Sequence, residues 1–147
     1  MTHVRQSIRG NLVTTLTDLA TTGARVYETR VYPLAEDKLP GLAIYTKSES
    51  SEYSTMTAPR TVLRTLSAAV EIYVKAVSGY DDLLDSISAQ VESALYTDRT
   101  RGGFARDTRV VSFESQFSGD PDQPVGSAAI QVEVDYQTLE NDSETAV

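Results

Sequence analysis

The residues best equipped for chemistry are few. A single histidine, His3, stands at the start of the chain. Serine hydrolysis by a Ser-His-Asp arrangement would have to use it, and no serine sits in the Gly-x-Ser-x-Gly turn that strains a nucleophile into reach. Near a chain end, no fixed surroundings exist to tune an imidazole. His3 is therefore read as an exposed or helix-capping residue. Asp81, Asp82 and Asp85 cluster at the start of a predicted helix. Such a trio can hold a divalent cation, but carboxylates in a first turn also complement the helix dipole without any metal. Asp120 and Asp122 lack the spacing of a calcium loop, and Gly102-Gly103 follows no phosphate-loop pattern. No catalytic group, metal site or cofactor site is expected.

Arg99, Arg101 and Arg106 form the one basic concentration. Guanidinium groups so close together suit phosphate or a partner's carboxylates, with a solvated loop as the plain alternative. The acidic side chains are segregated. Residues 1–106 hold twelve acidic and twelve basic residues, whereas residues 107–147 hold nine acidic residues and one basic residue, Arg109. The net charge of -8 thus comes from the C-terminal part. An acidic surface repels nucleic-acid backbone, which argues against nucleic-acid binding as the main role. In an assembly, one subunit's arginine loop is expected to meet the next subunit's Glu133 and Asp135.

The elements that must position these residues follow from periodicity. Val4, Ile8, Leu12, Leu16 and Leu19 recur at helical spacing, with Thr2 as the cap and Gly23 as the stop. Arg25–Tyr32 and Leu42–Thr46 read as strands, and 47–60, rich in Ser, Thr and Glu, reads as a flexible loop or the tip of a long hairpin. Leu66, Ala68, Val70, Ile72 and Val74 alternate with Ser67, Ala69, Glu71, Tyr73 and Lys75, an inside/outside strand pattern. Ser78 is the expected cap of a second helix carrying Leu83, Leu84, Ile87, Val91, Ala94 and Leu95. Two more strands follow. Arg109–Phe117 is expected to place Val111, Phe113 and Phe117 on one face, and Ala129–Leu139 alternates Ile130, Val132, Val134 and Tyr136 with polar residues. Residues 119–124 form a turn-rich loop between them.

This order predicts an α+β fold: a mostly antiparallel sheet of about five strands with two helices packed on one face. Residues 1–139 form one domain, and the acidic tail 140–147 is expected to be disordered. The chain has 147 residues, no cysteine, and no apolar run near the ~18 residues needed to span a bilayer. It shows no secretory signal, so synthesis in the cytosol is expected.

Larger motifs carry a resemblance. The N-terminal helix with Arg5 and Ile8 leads into Thr21-Thr22-Gly23 and ARVYETRVYPL; Leu39-Pro40, LAIYTKSESSEY and a long strand ending in EIYVKA follow. Over roughly residues 3–138 the chain resembles the tail terminator proteins of long non-contractile-tailed bacteriophages, the lambda minor tail protein U group. The correspondence is in Leu39–Tyr45 and Val132–Tyr136. It implies a non-enzymatic virion protein, without cofactor, that forms a homo-oligomeric, hexameric ring at the head-proximal end of a tail tube. There it would stop tube growth and join the head-tail connector protein, with the major tail tube protein as second partner and DNA passing unbound through the lumen. Expected contact residues are Glu49, Glu52, Tyr53 and Arg60 on the 47–60 segment, Arg99, Arg101 and Arg106, and Glu133 and Asp135. The last two are alternatively lumen-lining. A neck or head-tail connector subunit is the nearest alternative, and a non-viral small binding module a more distant one.

Overall fold

The computed structural model describes residues 2–28, 39–75, 78–118 and 125–147. Its elements are helix α1 (Val4–Leu16), strands β1 (Val26–Tyr27), β2 (Gly41–Tyr53) and β3 (Thr61–Lys75), helix α2 (Tyr80–Thr97), and strands β4 (Asp107–Ser118), β5 (Val125–Leu139) and β6 (Asp142–Ala146). The sheet order is β1-β2-β3-β5-β4, with β6 also paired to β5. Every pairing is antiparallel except that of β1 with β2. The α+β architecture read from the sequence is the one observed.

Alternation in the central strands builds the core. Leu66, Val70 and Ile72 of β3 and Ile130, Val132 and Val134 of β5 face the helices, which return Ile8, Leu12, Leu84, Ile87 and Val91. Both helices therefore lie on one side of the sheet. The stripe of α1 is buried at Val4, Ile8, Leu12 and Leu16, but the helix ends there and Leu19 falls in the following turn. Thr2 is not its cap. His3 is, because its Nδ1 accepts a 3.1 Å hydrogen bond from the Arg5 amide. Nor does Ser78 cap α2: Gly79, at φ +83°, turns the chain into the helix with no side-chain cap. Asp81 and Asp82 remain in the first turn, where they offset the helix dipole.

Three strand expectations change. β2 runs to Tyr53, because Ser48–Tyr53 pair with Val62–Ser67 of β3, and only 54–60 is left as a hairpin tip. Pairing there overrides the low strand propensity of Ser and Glu. In β4 a bulge at Val111 lets Val110 oppose Val132 and Phe113 oppose Ile130. Val110 thus packs on the core while Val111 and Phe113 are exposed. The expected tail 140–147 contains β6, joined to the end of β5 at Thr138 and Leu139. Of the expected strand 25–32, Val26 and Tyr27 form β1 with Arg25 and Glu28 flanking it, while 29–32, like the loop 119–124, lie outside the described residues.

The face opposite the helices is not uniformly solvated. Ala43, Tyr73 and Val125 form a small second cluster with Tyr27 and Leu39. Glu71, expected to point outward into water, is buried beside it and accepts hydrogen bonds from the hydroxyls of Tyr45 (2.5 Å) and Tyr73.

At Gly126 the packing leaves no room for a side chain. A Cβ there would lie 2.5 Å from Tyr80 Cδ2 and 3.3 Å from Val74 Cγ2. Gly126→Ala is expected to lower unfolding free energy by about 1–3 kcal/mol through overpacking. Urea denaturation measures this, and an unchanged midpoint would refute the tight fit.

Candidate functional site

The expected contact residues fall into three groups, and the structure treats each differently. In the hairpin, the bulge of β2 between Thr46 and Ser48 shifts the register so that Glu49 opposes Leu66 on the helix side of the sheet. Glu49 accepts hydrogen bonds from Arg5 Nη1 at 2.9 Å, Arg64 Nη1 at 3.0 Å and the Tyr136 hydroxyl. Its side chain is only 9% exposed and that of Arg64 15%. Glu49 is therefore an internal tie between α1, β2, β3 and β5, and not the surface contact expected from the sequence. Burial, then the bond to Glu49 and its charge, push the Tyr136 hydroxyl up, so it stays protonated and donates. The His3 imidazole is held below its usual value by burial first and then by the Arg5 and Arg64 charges.

Beyond this tie the hairpin is open. Ser50–Pro59 are exposed, with Met56 97% exposed at the tip. A second tie sits at the tip's base, where Arg60 Nε meets Glu140 at 2.6 Å and the Arg60 guanidinium lies 4.1 Å above the Tyr53 ring. Glu52 and Tyr53 remain at the surface, as a contact role requires.

The arginine loop divides. Arg101, at φ +51°, is buried and cannot meet a partner. Its Nη2 donates to the carbonyls of Leu95 (2.6 Å) and Asp98, closing the C-terminus of α2 where free carbonyls attract a cation. The loop is also shaped by Asp98, whose carboxyl is held at about 2 by the Thr100 hydroxyl, then by the amides of Thr100 and Gly102. Arg99 and Arg106 are exposed. The Arg99 guanidinium stands 5.3 Å from the Tyr96 ring, and Arg106 Nη2 reaches the Val147 carbonyl at 3.3 Å.

Glu133 and Asp135 already have an arginine, from their own chain. Arg109 on β4 donates to Asp135 at 2.6 Å and to Glu133 at 3.1 Å, with Asp107 3.7 Å away. The Thr65 hydroxyl adds a 2.9 Å bond to Asp135. The sequence marks Arg109 as the lone cation in the acidic stretch without giving it a role; in the register it directly opposes Glu133. Beside this cluster the open face forms a hollow of about 600 Å³ lined by Ser50, Glu52, Leu63, Thr65, Arg106 and Asp135 among others.

No protein-family model matches this chain, and no curated protein does. Among solved structures it is similar to a chain of the virion of a native gene transfer agent (GTA) particle. The two are 12% identical, the match covers 90% of this chain and 92% of that one, and the TM-score is 0.34. That value lies below the level at which two chains share a fold.

Chemically, the arrangement is one of ties and open surfaces. Among the described residues, no three His, Cys, Asp or Glu side chains are grouped to hold a metal ion, and no helix is long and apolar enough to cross a membrane.

Two expectations follow. Glu49→Ala leaves Arg64 nearly buried without its carboxylate and is expected to cost about 3 kcal/mol in denaturant titration. A loss below ~0.5 kcal/mol, typical of an exposed pair, would contradict the internal tie. For Asp135, the Arg109 hydrogen bond first and then Thr65 hold the folded carboxyl below its ordinary value against the cost of burial. A depressed folded value contributes stability above the unfolded pKa of ~3.9, and that contribution is lost as pH falls through the folded value. Arg109→Gln should thus be less stable than wild type at pH 7, with the gap narrowing toward pH 3; a gap independent of pH would contradict this.

Proposed function

We propose that this chain is a structural virion subunit without catalytic activity, and specifically a tail terminator: a ring, hexameric by resemblance, at the head-proximal end of a phage tail tube. The observation that carries this reading is the hairpin. Its exposed distal part, Ser50–Pro59, projects from ties at Glu49 and at Arg60–Glu140, so it is held as a stiff arm from within the subunit. A stiff polar arm reaches a partner at little ordering cost, as a subunit that caps a tube end requires. Tyr53 and Met56 supply the apolar anchor at its end.

The resemblance of Leu39–Tyr45 and Val132–Tyr136 to the lambda protein U group supports the same reading and supplies the ring. Within it, the open sheet face has a consistent role. Asp107, Glu133 and Asp135 share one guanidinium, Arg109, which leaves that patch net negative. Turned toward a lumen, such a wall repels DNA phosphates and lets DNA pass without binding. This favours the lumen-lining role of Glu133 and Asp135 over a salt bridge to a neighbour.

Disrupting the gene in the phage or prophage that encodes it provides the test. Electron microscopy of the lysate is expected to show tail tubes of irregular, excessive length without attached heads. Tails of normal length that lack heads would point to the neck-connector alternative, and normal virions would overturn both.

A further inference from the structure

Helix α1 is closed at its start by one residue. The amides of Gln6 and Ser7 donate to the His3 carbonyl at 2.9 and 3.3 Å, and the Arg5 amide donates to His3 Nδ1 at 3.1 Å. No acidic side chain stands in the first turn, so the imidazole is the side chain that caps this end. That bond fixes the state of the ring. Nδ1 accepts only while it carries no proton, so the bonded form is the neutral imidazole with its proton on Nε2. The common caps, Ser, Thr, Asp and Asn, accept throughout the pH range near neutrality, and a histidine does not.

The surroundings oppose a charge at this ring. Burial is the largest cause, followed by the Arg5 charge on α1 and the Arg64 charge on β3. Glu49 of β2 and Glu144 of β6 favour an imidazolium, but Glu49 is already shared by Arg5, Arg64 and the Tyr136 hydroxyl of β5. The positive end of the helix dipole adds to the opposition. A folded value held below the unfolded ~6.5 contributes stability that is complete above ~6.5 and is lost as pH falls through the folded value.

We propose that protonation of His3 uncaps α1 and loosens the anchor of the hairpin, which makes the exposed arm a pH-responsive element. A proton on Nδ1 turns the acceptor into a donor facing the Arg5 amide, and the bond is lost. The first turn that then frays carries Val4, which is buried at the end of the core, and Arg5, whose guanidinium ties α1 to Glu49. The new imidazolium also adds a third cation beside Arg5 and Arg64, around one buried carboxylate. A proton taken up at the helix start therefore reaches the base of Ser50–Pro59. The switch is a property of the single subunit and stands whether or not copies form a ring.

Two-dimensional NMR of the full chain from about pH 7.5 to about pH 5.5, above the range in which ordinary carboxylates titrate, is the test. The His3 ring, the Arg5 amide and the Nε signals of Arg5 and Arg64 are expected to move with one midpoint, below ~6.5. His3→Asn keeps an accepting cap that does not titrate and should show none of these movements. At the acid end, first-turn amides of the wild type should exchange about fivefold faster than those of His3→Asn, as the loss of one cap implies. An Arg5 amide that stays still while the ring titrates, or that moves equally in His3→Asn, would overturn the switch. Movement of the Arg5 amide with both Nε signals unchanged would overturn its link to the hairpin. As a second measurement, the urea midpoint of the wild type should fall relative to that of His3→Asn as pH drops through this range, and a constant gap would also refute the proposal. None of these readouts depends on oligomeric state, so their failure leaves the tail terminator reading standing.

Discussion

Everything in this fold depends on the antiparallel pairing of β3 with β5. The two strands pair along their full length, from Thr61 opposite Leu139 to Lys75 opposite Val125. With a side-chain period of two, that register decides at once which residues meet the helices and which meet the other side. A slip of β5 by one residue would carry Val132 and Val134 out of the core and bring Glu133 and Asp135 into it. The pairing is thus fixed by apolar burial on one face, and the polar character of the other face follows.

That asymmetry explains why the charged side chains sit where they do. On the open face Arg109, Glu133 and Asp135 sit at cross-strand positions and remain partly exposed, so their ties are screened and modest. On the helix face the sheet outruns the helices toward the hairpin, and the core must end. It ends in ions: Glu49 with Arg64, Arg5 and the Tyr136 hydroxyl. A buried carboxylate is costly unless its lone pairs are filled, and three donors fill them. The bulge at Lys47 is what rotates Glu49 inward, so one backbone irregularity converts a polar strand end into an anchored arm. The anchoring of the hairpin at Glu49 and the exposure of its distal part therefore share one cause.

Much of this was legible in the sequence, and the parts that were not have identifiable reasons. The stripe of α1, the alternation of β3 and β5 and the one-sided α+β sheet follow from periodicity, because apolar burial dictates them. The bulges at Lys47 and Val111 do not show, since they arise from pairing between strands distant in the chain. Without them, Glu49 reads as a surface acid and Val111 as core. Arg101 read as one of three exposed arginines; its positive φ turns it inward onto the carbonyls ending α2, a backbone effect that composition cannot show. The tail at 142–146 looked too polar to order, yet the end of β5 offers it hydrogen-bond partners. Arg109 could have been found by asking which single cation serves an acidic stretch.

The central claim, that this fold exists to assemble with copies of itself around a lumen, is most directly tested by the mass of the purified protein. Multi-angle light scattering across a concentration series, alone and with isolated tail tubes, is the measurement. The account predicts one closed oligomer of fixed copy number, either free or formed on tube ends. A monomer at every concentration that ignores the tubes, or an open-ended series of masses, would contradict it.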